Sequence, residues 1–306
     1  MSDLITKKSL RLLRNNNNSI QSLYNERCTI KDGLLKPHFW KPINVSKDPF
    51  SLWGTDDLII EDENKYVEDL MSRIIATGLN LELPVAEFIQ CGIKTELPSE
   101  NVDTTIKLLK SNACDEGSHY KGFKLLQSNY YVNPKHLDEA YNITNQWTSF
   151  MNKEYPLMIS QLIEVGVFLI TLGIMRLLGG KSFAKIAYGI SEDEVRHIAT
   201  SRTICHKLNY DPSRPPNSIL PLVNQTLDFI LEPINKIDLK EYIGFELNKD
   251  FFIKCSQDLI STGFSYDLND LVTYSESFSP FELENNAMYD RVTSNEDLDE
   301  LLKELA

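Results

Sequence analysis

Residues 184 to 197 read Ala-Lys-Ile-Ala-Tyr-Gly-Ile-Ser-Glu-Asp-Glu-Val-Arg-His, and they end with a glutamate followed three positions later by a histidine. Glu116 and His119 repeat that spacing earlier in the chain. Residues three apart lie on one face of a helix, so each pair can offer one oxygen and one nitrogen to a shared point. A single pair arises by chance in a glutamate-rich helix. The chain has only five histidines, however, and two carry this spacing, which predicts a metal site between two helices.

Such a site needs one carboxylate from each of two further helices. Glu164 stands in an apolar run, where a buried carboxylate is costly unless it binds a proton or a cation; a surface position is the other interpretation. The remaining helix offers Glu82 or Glu87, and the pattern alone leaves both open. Asp193 points about 100° away from Glu194 on a helix, so it would miss the metals. It could accept the outer N–H of a metal-bound histidine, or it could be a surface acid.

The donor set indicates which metals to expect. Carboxylate and imidazole ligands suit iron or manganese, and the lack of paired thiolates makes zinc or an iron–sulfur cluster a poorer match. Two divalent ions need about four negative charges, which four carboxylates supply. We therefore expect two metal ions per chain, of iron or manganese. A reduced pair can give electrons to O2, whereas a redox-inert metal could only polarise water or substrate, so oxidative chemistry is the leading interpretation.

Helical periodicity covers most of the chain and predicts an all-α fold. Pro84 should break or restart the first long helix. No strand alternation longer than a few residues and no solenoid-like repeat is present. The predicted helices span residues 57–83, 84–93, 99–127, 133–151, 155–178 and 182–208, with further helix within 217–264.

Composition excludes several classes of protein. The chain has 306 residues, 42% of them hydrophobic, which is enough for one large domain. A formal net charge of -13 argues against nucleic acid as a partner. The longest apolar stretch, residues 162–178, is interrupted by Glu164, Gly166 and Arg176, and no early apolar run follows the basic start; we expect neither membrane spans nor secretion. Five scattered cysteines fit free thiols in the cytoplasm.

Both ends differ in composition from the helical region. Residues 1–20 contain the asparagine run 15–18 and are expected to form a mobile N-terminal arm, and residues 21–275 the helical domain. Residues 276–306 form an acidic tail in which leucines recur at helical spacing at positions 298, 301, 302 and 305. The tail could dock on another protein through this end, or it could be a frayed terminal helix packed on its own domain.

From Phe39 to position 208 the residues resemble the radical-generating small subunit of class I ribonucleotide reductase. Four segments carry the resemblance: Phe39-Trp40-Lys-Pro42, Thr77-Gly-Leu-Asn-Leu-Glu82, Ile163-Glu-Val-Gly-Val-Phe168 and residues 184–197. The resemblance implies a ferritin-like four-helix bundle with additional flanking helices, and a homodimer. It favours Glu82 over Glu87 and implies metal ligation by Glu82, Glu116, His119, Glu164, Glu194 and His197.

The resemblance also implies a route by which an oxidising equivalent leaves the metals. Asp193 and Trp40 would form a hydrogen-bonded relay to His119. Tyr289, 17 residues before the C-terminus, matches the family's tail tyrosine and would pass the equivalent to the large catalytic subunit, on which the tail docks. From the residues alone, the preferred interpretation of Trp40 is a ring that covers the core, and that of Tyr289 is an exposed tail residue.

One departure from the family pattern concerns where the radical is kept. The usual radical tyrosine stands four residues after the first histidine, and here that position is Phe123, which cannot store a stable radical. The chain therefore resembles the branch that keeps the equivalent on a manganese–iron centre, with Phe123 and Phe168 beside the metals. The alternatives are a stand-alone di-metal oxidase or oxygenase on the same scaffold and, third, an iron-storage or metal-free interaction protein.

Overall fold

A computed structural model describes residues 28–29, 34–35, 61–98, 100–151, 155–178, 180–207, 219–237 and 248–264. These residues are overwhelmingly helical, which confirms the all-α prediction for this part of the chain. A two-residue antiparallel pair, β1 (Cys28–Thr29) with β2 (Leu34–Leu35), is too short to form a layer of its own. The predicted N-terminal arm and C-terminal tail lie outside the described residues.

Eight α-helices occur in the described part of the chain. A π-helical turn, Glu164–Phe168, joins the fourth helix to the fifth, and a 3-10 turn, Ile234–Lys236, follows the seventh. The helices are α1 (Glu61–Thr95), α2 (Val102–Asn129), α3 (Pro134–Thr148), α4 (Pro156–Ile163), α5 (Leu169–Leu178), α6 (Gly180–Lys207), α7 (Leu220–Ile230) and α8 (Lys249–Phe264). The region 217–264, predicted as helical, thus contains α7 and α8, and residues 231–237 after α7 form turns, including the 3-10 turn.

Helix α1 runs through Pro84, so the predicted break at this residue is wrong. Proline lacks the N–H of one helical hydrogen bond, and its ring crowds the carbonyl four residues earlier. The helix continues because residues on both sides of Pro84 belong to one core: Leu81 lies before it, and Val85 and Phe88 lie after it, all almost fully buried. Tertiary packing therefore outweighs the local cost of the proline.

The core lies between α1 and the helices around it. Helix α1 packs against α2, α3 and α4, while α5 packs against α6, and α8 covers the π-helical turn. Apolar residues that recur at helical spacing along one face of α1 are buried here: Val67, Leu70, Met71, Ile74 and Ile75. This periodic stripe turns the opposite face of α1, at residues such as Lys65 and Glu68, toward solvent.

A buried carboxylate sets the start of α4, the helix that leads to Glu164. The Glu96 side chain is 2% exposed, and its Oε2 accepts a hydrogen bond from the Leu157 N–H at 2.8 Å. The first N–H groups of a helix have no partner within the helix and carry a partial positive charge, so a carboxylate there is stabilising. The end of α1 thereby fixes the beginning of α4.

One stretch of the described chain, Pro156–Met175, is long and apolar enough to cross a membrane by length and composition. It comprises α4, the π-helical turn and part of α5. Within its most apolar window 94% of the residues are buried inside the protein. A core helix passes the same test, and burial to this degree is what a core helix shows.

Candidate metal centre

Four helical segments bring six side chains that could ligate metal to one place in the core. Helix α1 supplies Glu82, the π-helical turn supplies Glu164, and α2 and α6 each supply a glutamate and a histidine from their E-x-x-H segments. All six side chains are almost completely buried, at 1% exposure or less: Glu82, Glu116, His119, Glu164, Glu194 and His197. Glu87, the alternative on α1, is exposed and takes no part.

The donors fall into two sets, each with its ligand atoms within 4.8 Å of one another. Both sets contain Glu116 and Glu194. One set also contains Glu82 and His119, and the other also contains Glu164 and His197. Two four-donor sets with two carboxylates in common are what two neighbouring ions bridged by glutamates require.

Both histidines direct Nδ1 toward the carboxylates. Nδ1 of His119 lies 3.3 Å from oxygens of Glu116 and Glu194 and 3.6 Å from Glu82. Nδ1 of His197 lies 2.7 Å from Glu116, 3.5 Å from Glu194 and 3.9 Å from Glu164. The two rings stack with their centroids 5.8 Å apart. Each imidazole therefore presents one nitrogen to the centre and keeps the other for an outer partner.

The carboxylates of the centre lack hydrogen-bond donors. None of the eight oxygens of Glu82, Glu116, Glu164 and Glu194 accepts a hydrogen bond of good geometry, although all are buried. A buried polar atom without a partner costs on the order of 1–3 kcal/mol, and a buried charge costs more. The residues present thus fit a pair of cations that would occupy the space toward which these oxygens point.

The pKa shifts also reflect the buried negative charge of the four glutamates. Burial, reinforced by the neighbouring glutamates, raises the pKa of Glu82 and of Glu164 well above the ordinary range, although the histidines act against it. Burial also raises the pKa of Glu116, but His197 and His119 outweigh it and hold the value below its usual range. Without a cation, protons on Glu82 and Glu164 therefore relieve the concentration of negative charge.

The pKa values of the two imidazoles are raised as well, but by a different cause. Burial alone would lower the pKa of His119 and His197, yet the surrounding carboxylates, Glu116 foremost, raise both well above the ordinary value. A metal ion that binds here must displace protons, because histidine and glutamate ligate in their deprotonated forms.

Each histidine has an aspartate on its outer side. Nε2 of His119 lies 3.3 Å from Oδ2 of Asp193, which is fully buried, so the surface position considered for Asp193 is excluded. Nε2 of His197 lies 3.4 Å from Oδ2 of Asp115, also fully buried. Sequence reasoning missed Asp115. The signal was present, because Asp115-Glu116 and Asp193-Glu194 make both segments D-E-x-x-H.

Glu164 stands at the first position of the π-helical turn. The Leu169 N–H donates to the Glu164 carbonyl five residues earlier, which widens the helix by one residue. The hydroxyl of Ser256 on α8 donates to the Gly166 carbonyl within this turn at 2.7 Å. Such turns are rare and often occur at functional sites. The sequence pattern predicted an unbroken helix at this point.

The two phenylalanines expected near the metals are buried at 1% exposure. Phe168 lies in the same π-helical turn as Glu164. Phe123 packs on Gly78: a Cβ built on this glycine would lie only 2.5 Å from the Phe123 ring. Gly78 therefore allows α1 and α2 to approach each other one turn before Glu82. Trp40 and Tyr289, the predicted relay residues, lie outside the described residues.

A cavity of about 320 Å³ lies away from the centre, where α1 meets the junction of α2 and α3. Its lining includes Asp69, Ser72 and His136, which are hydrogen-bonded or ion-paired in a row, with Ser72 Oγ 2.8 Å from His136 Nδ1 and His136 Nε2 3.2 Å from Asp69. Ser72 Oγ also accepts the Asn133 N–H at 3.0 Å. This row fastens the start of α3 to α1, and the cavity includes none of the six donors.

Comparisons with known proteins add no relative. No protein-family model, no curated protein and no solved structure matches the chain. Any functional conclusion therefore rests on the residues and their geometry.

Proposed function

We propose that this chain is the radical-generating small subunit of a class I ribonucleotide reductase, with a dinuclear Mn/Fe or Fe/Fe centre. In this proposal α1, α2, the α4–π–α5 segment and α6 form a ferritin-like four-helix bundle. The observation that carries it is the pair of buried donor sets sharing Glu116 and Glu194. Among di-metal proteins, the reductase subunit is chosen because residues 39–208 resemble that family.

The side chains would hold the ions and keep water away from them. Glu82 and His119 would bind one ion, Glu164 and His197 the other, and Glu116 and Glu194 would bridge the two. Four carboxylates balance the charge of two divalent ions, so the bound ions would neutralise the buried negative charge of the glutamates. Bound iron or manganese would supply the one-electron and O2 chemistry that these side chains lack.

Burial of the centre favours retention of an oxidising equivalent over its release to a small substrate. Phe123 and Phe168, each four residues after a donor in the chain, are almost fully buried and offer no oxidisable hydroxyl. Asp193 accepts the outer N–H of His119, so this edge of the imidazole is where a proton and an electron would pass toward Trp40 and, through Tyr289, to a cysteine of the large subunit. The chain would be active only with that subunit, as a homodimer in the cytoplasm.

The stand-alone oxidase or oxygenase remains the second proposal, and it requires a substrate pocket beside the metals. The 320 Å³ cavity does not supply one, because none of the six donors lines it. The resemblance of residues 39–208 to the reductase family is the reason that the reductase subunit is proposed first.

Reconstitution tests the proposal. The chain is loaded with Mn²⁺ and Fe²⁺ without oxygen and then exposed to O2, after which metal content and electron paramagnetic resonance are measured on one sample. One manganese and one iron per chain, together with ribonucleotide reduction on addition of a class I large subunit, would support it. Two irons together with a protein radical would mean that the oxidising equivalent is stored on an amino-acid residue and not on the metals. Absence of bound metal would refute the proposal.

A further inference from the structure

The two D-E-x-x-H segments hold each other's histidines. On α6, Asp193 bonds to His119 of α2, and on α2, Asp115 approaches His197 of α6 at 3.4 Å. Each aspartate directly precedes a bridging glutamate of its own helix. Each helix thus gives the centre one glutamate and one histidine and gives the opposite histidine its outer carboxylate.

The tautomer of His197 follows from this contact. Nδ1 of His197 faces Glu116, Glu164 and Glu194, so the ring proton of a metal-bound imidazole must be on Nε2. The fully buried Asp115 carboxylate is placed to accept it. A carboxylate behind a metal-bound histidine fixes the ring orientation and makes the imidazole a stronger donor.

We propose that Asp115 is the positioning residue of His197 and acts selectively on the ion held by Glu164 and His197. This inference rests on the proposed di-metal function and goes beyond it, because the resemblance assigned an outer carboxylate to His119 alone. Both halves of the centre then have the same construction: one terminal glutamate, one histidine and one outer aspartate, around two shared glutamates.

The selectivity gives a crossed test with Mn²⁺ as the probe. In a Glu82→Gln background the ion that remains is the one at His197, and there Asp115→Asn should weaken Mn²⁺ binding by about 10–100-fold, the range for loss of an outer partner. In a Glu164→Gln background the remaining ion is at His119, and the same substitution should leave its affinity unchanged. Asp193→Asn should show the reverse pattern.

Controls separate positioning from general damage. Asp103→Asn changes an exposed aspartate of the same helix and should have no effect in either background. Asp115→Glu keeps the carboxylate and should restore part of the affinity that Asp115→Asn loses. Equal weakening in both backgrounds, or weakening in neither, would overturn the proposal.

A second measurement does not depend on single-ion binding. In the Zn²⁺-loaded chain, nitrogen-resolved NMR of the histidines should show two exchange-protected Nε2–H protons shifted downfield by their carboxylate partners. Asp115→Asn should move the resonance of His197 upfield and leave that of His119, while Asp193→Asn should do the converse. An unchanged His197 resonance would refute the proposal, whereas failure of the unaltered chain to bind metal would refute the proposed function as well.

Discussion

At the scale of single residues, the shared glutamates differ from the terminal ones. Glu116 belongs to both donor sets, whereas Glu82 and Glu164 each belong to one. Glu116→Gln should therefore reduce metal content from two ions per chain to none, and Glu82→Gln or Glu164→Gln from two to one. Metal analysis after gel filtration measures this. Glu87→Gln, an exposed position on the same helix as Glu82, is the matched control and should retain both ions.

Gly78 is a second residue whose identity the structure explains. A side chain there would collide with the Phe123 ring, so Gly78→Ala should destabilise the metal-free chain by about 1–3 kcal/mol through overpacking, despite the better helix propensity of alanine. Gly117 also lies within a helix, but a Cβ added to it would have no described atom within 4 Å. Gly117→Ala should instead stabilise by about 1 kcal/mol. Denaturant unfolding that ranks both variants alike would contradict this account.

At the scale of elements, the π-helical turn depends on α8. Ser256→Ala removes the hydroxyl donor to the Gly166 carbonyl and should cost about 0.5–1.5 kcal/mol, the net contribution of a typical hydrogen bond. Because Glu164 begins this turn, the variant should also weaken the ion at His197. Urea unfolding and Mn²⁺ titration measure the two effects. Ser149→Ala, which removes an exposed hydroxyl-to-carbonyl bond, should do neither.

The elements also show what the sequence could and could not predict. The E-x-x-H spacing placed Glu116 with His119 and Glu194 with His197 because helical geometry is local. The continuity of α1 through Pro84 was missed because distant packing outweighs a local preference. The widened turn at Glu164 was missed because it adds a residue without any periodicity of its own.

The choice between Glu82 and Glu87 needed information beyond helical periodicity. Both lie on α1, and only packing against neighbouring helices, α2 and α4 among them, buries the first and leaves the second in solvent. Asp115 was missed for a different reason: its partner, His197, is 82 positions away and belongs to another helix. The repeated Asp-Glu pair was the only local sign of it.

At the scale of the whole molecule, stability should depend on pH and on metal together. In the metal-free chain the pKa values of Glu82, Glu164, His119 and His197 are raised above the ordinary 4.5 and 6.5. The folded state then binds more protons than the unfolded state, so this stabilisation is present at low pH and is lost as pH rises through the raised values.

Three of the described groups act in the opposite direction. The lowered pKa values of Glu116 and Glu232 matter only below about their ordinary value of 4.5. Burial, with the Arg73 guanidinium, lowers the pKa of His136. Above about pH 5 this single group opposes the four groups whose pKa values are raised. The Tm of the metal-free chain should therefore fall as pH rises from about 5.5 to about 8, while stabilisation by Mn²⁺ should increase over the same range because the ligands must lose protons. A metal-induced shift in Tm that is constant or shrinks with pH would contradict this.

Anomalous diffraction from crystals of the metal-loaded chain tests the central claim most directly. Data collected at the iron and manganese absorption edges should show two peaks per chain, both between Glu116 and Glu194, one also next to Glu82 and His119 and the other next to Glu164 and His197. A single peak, peaks elsewhere in the molecule, or none at either edge would contradict the di-metal centre.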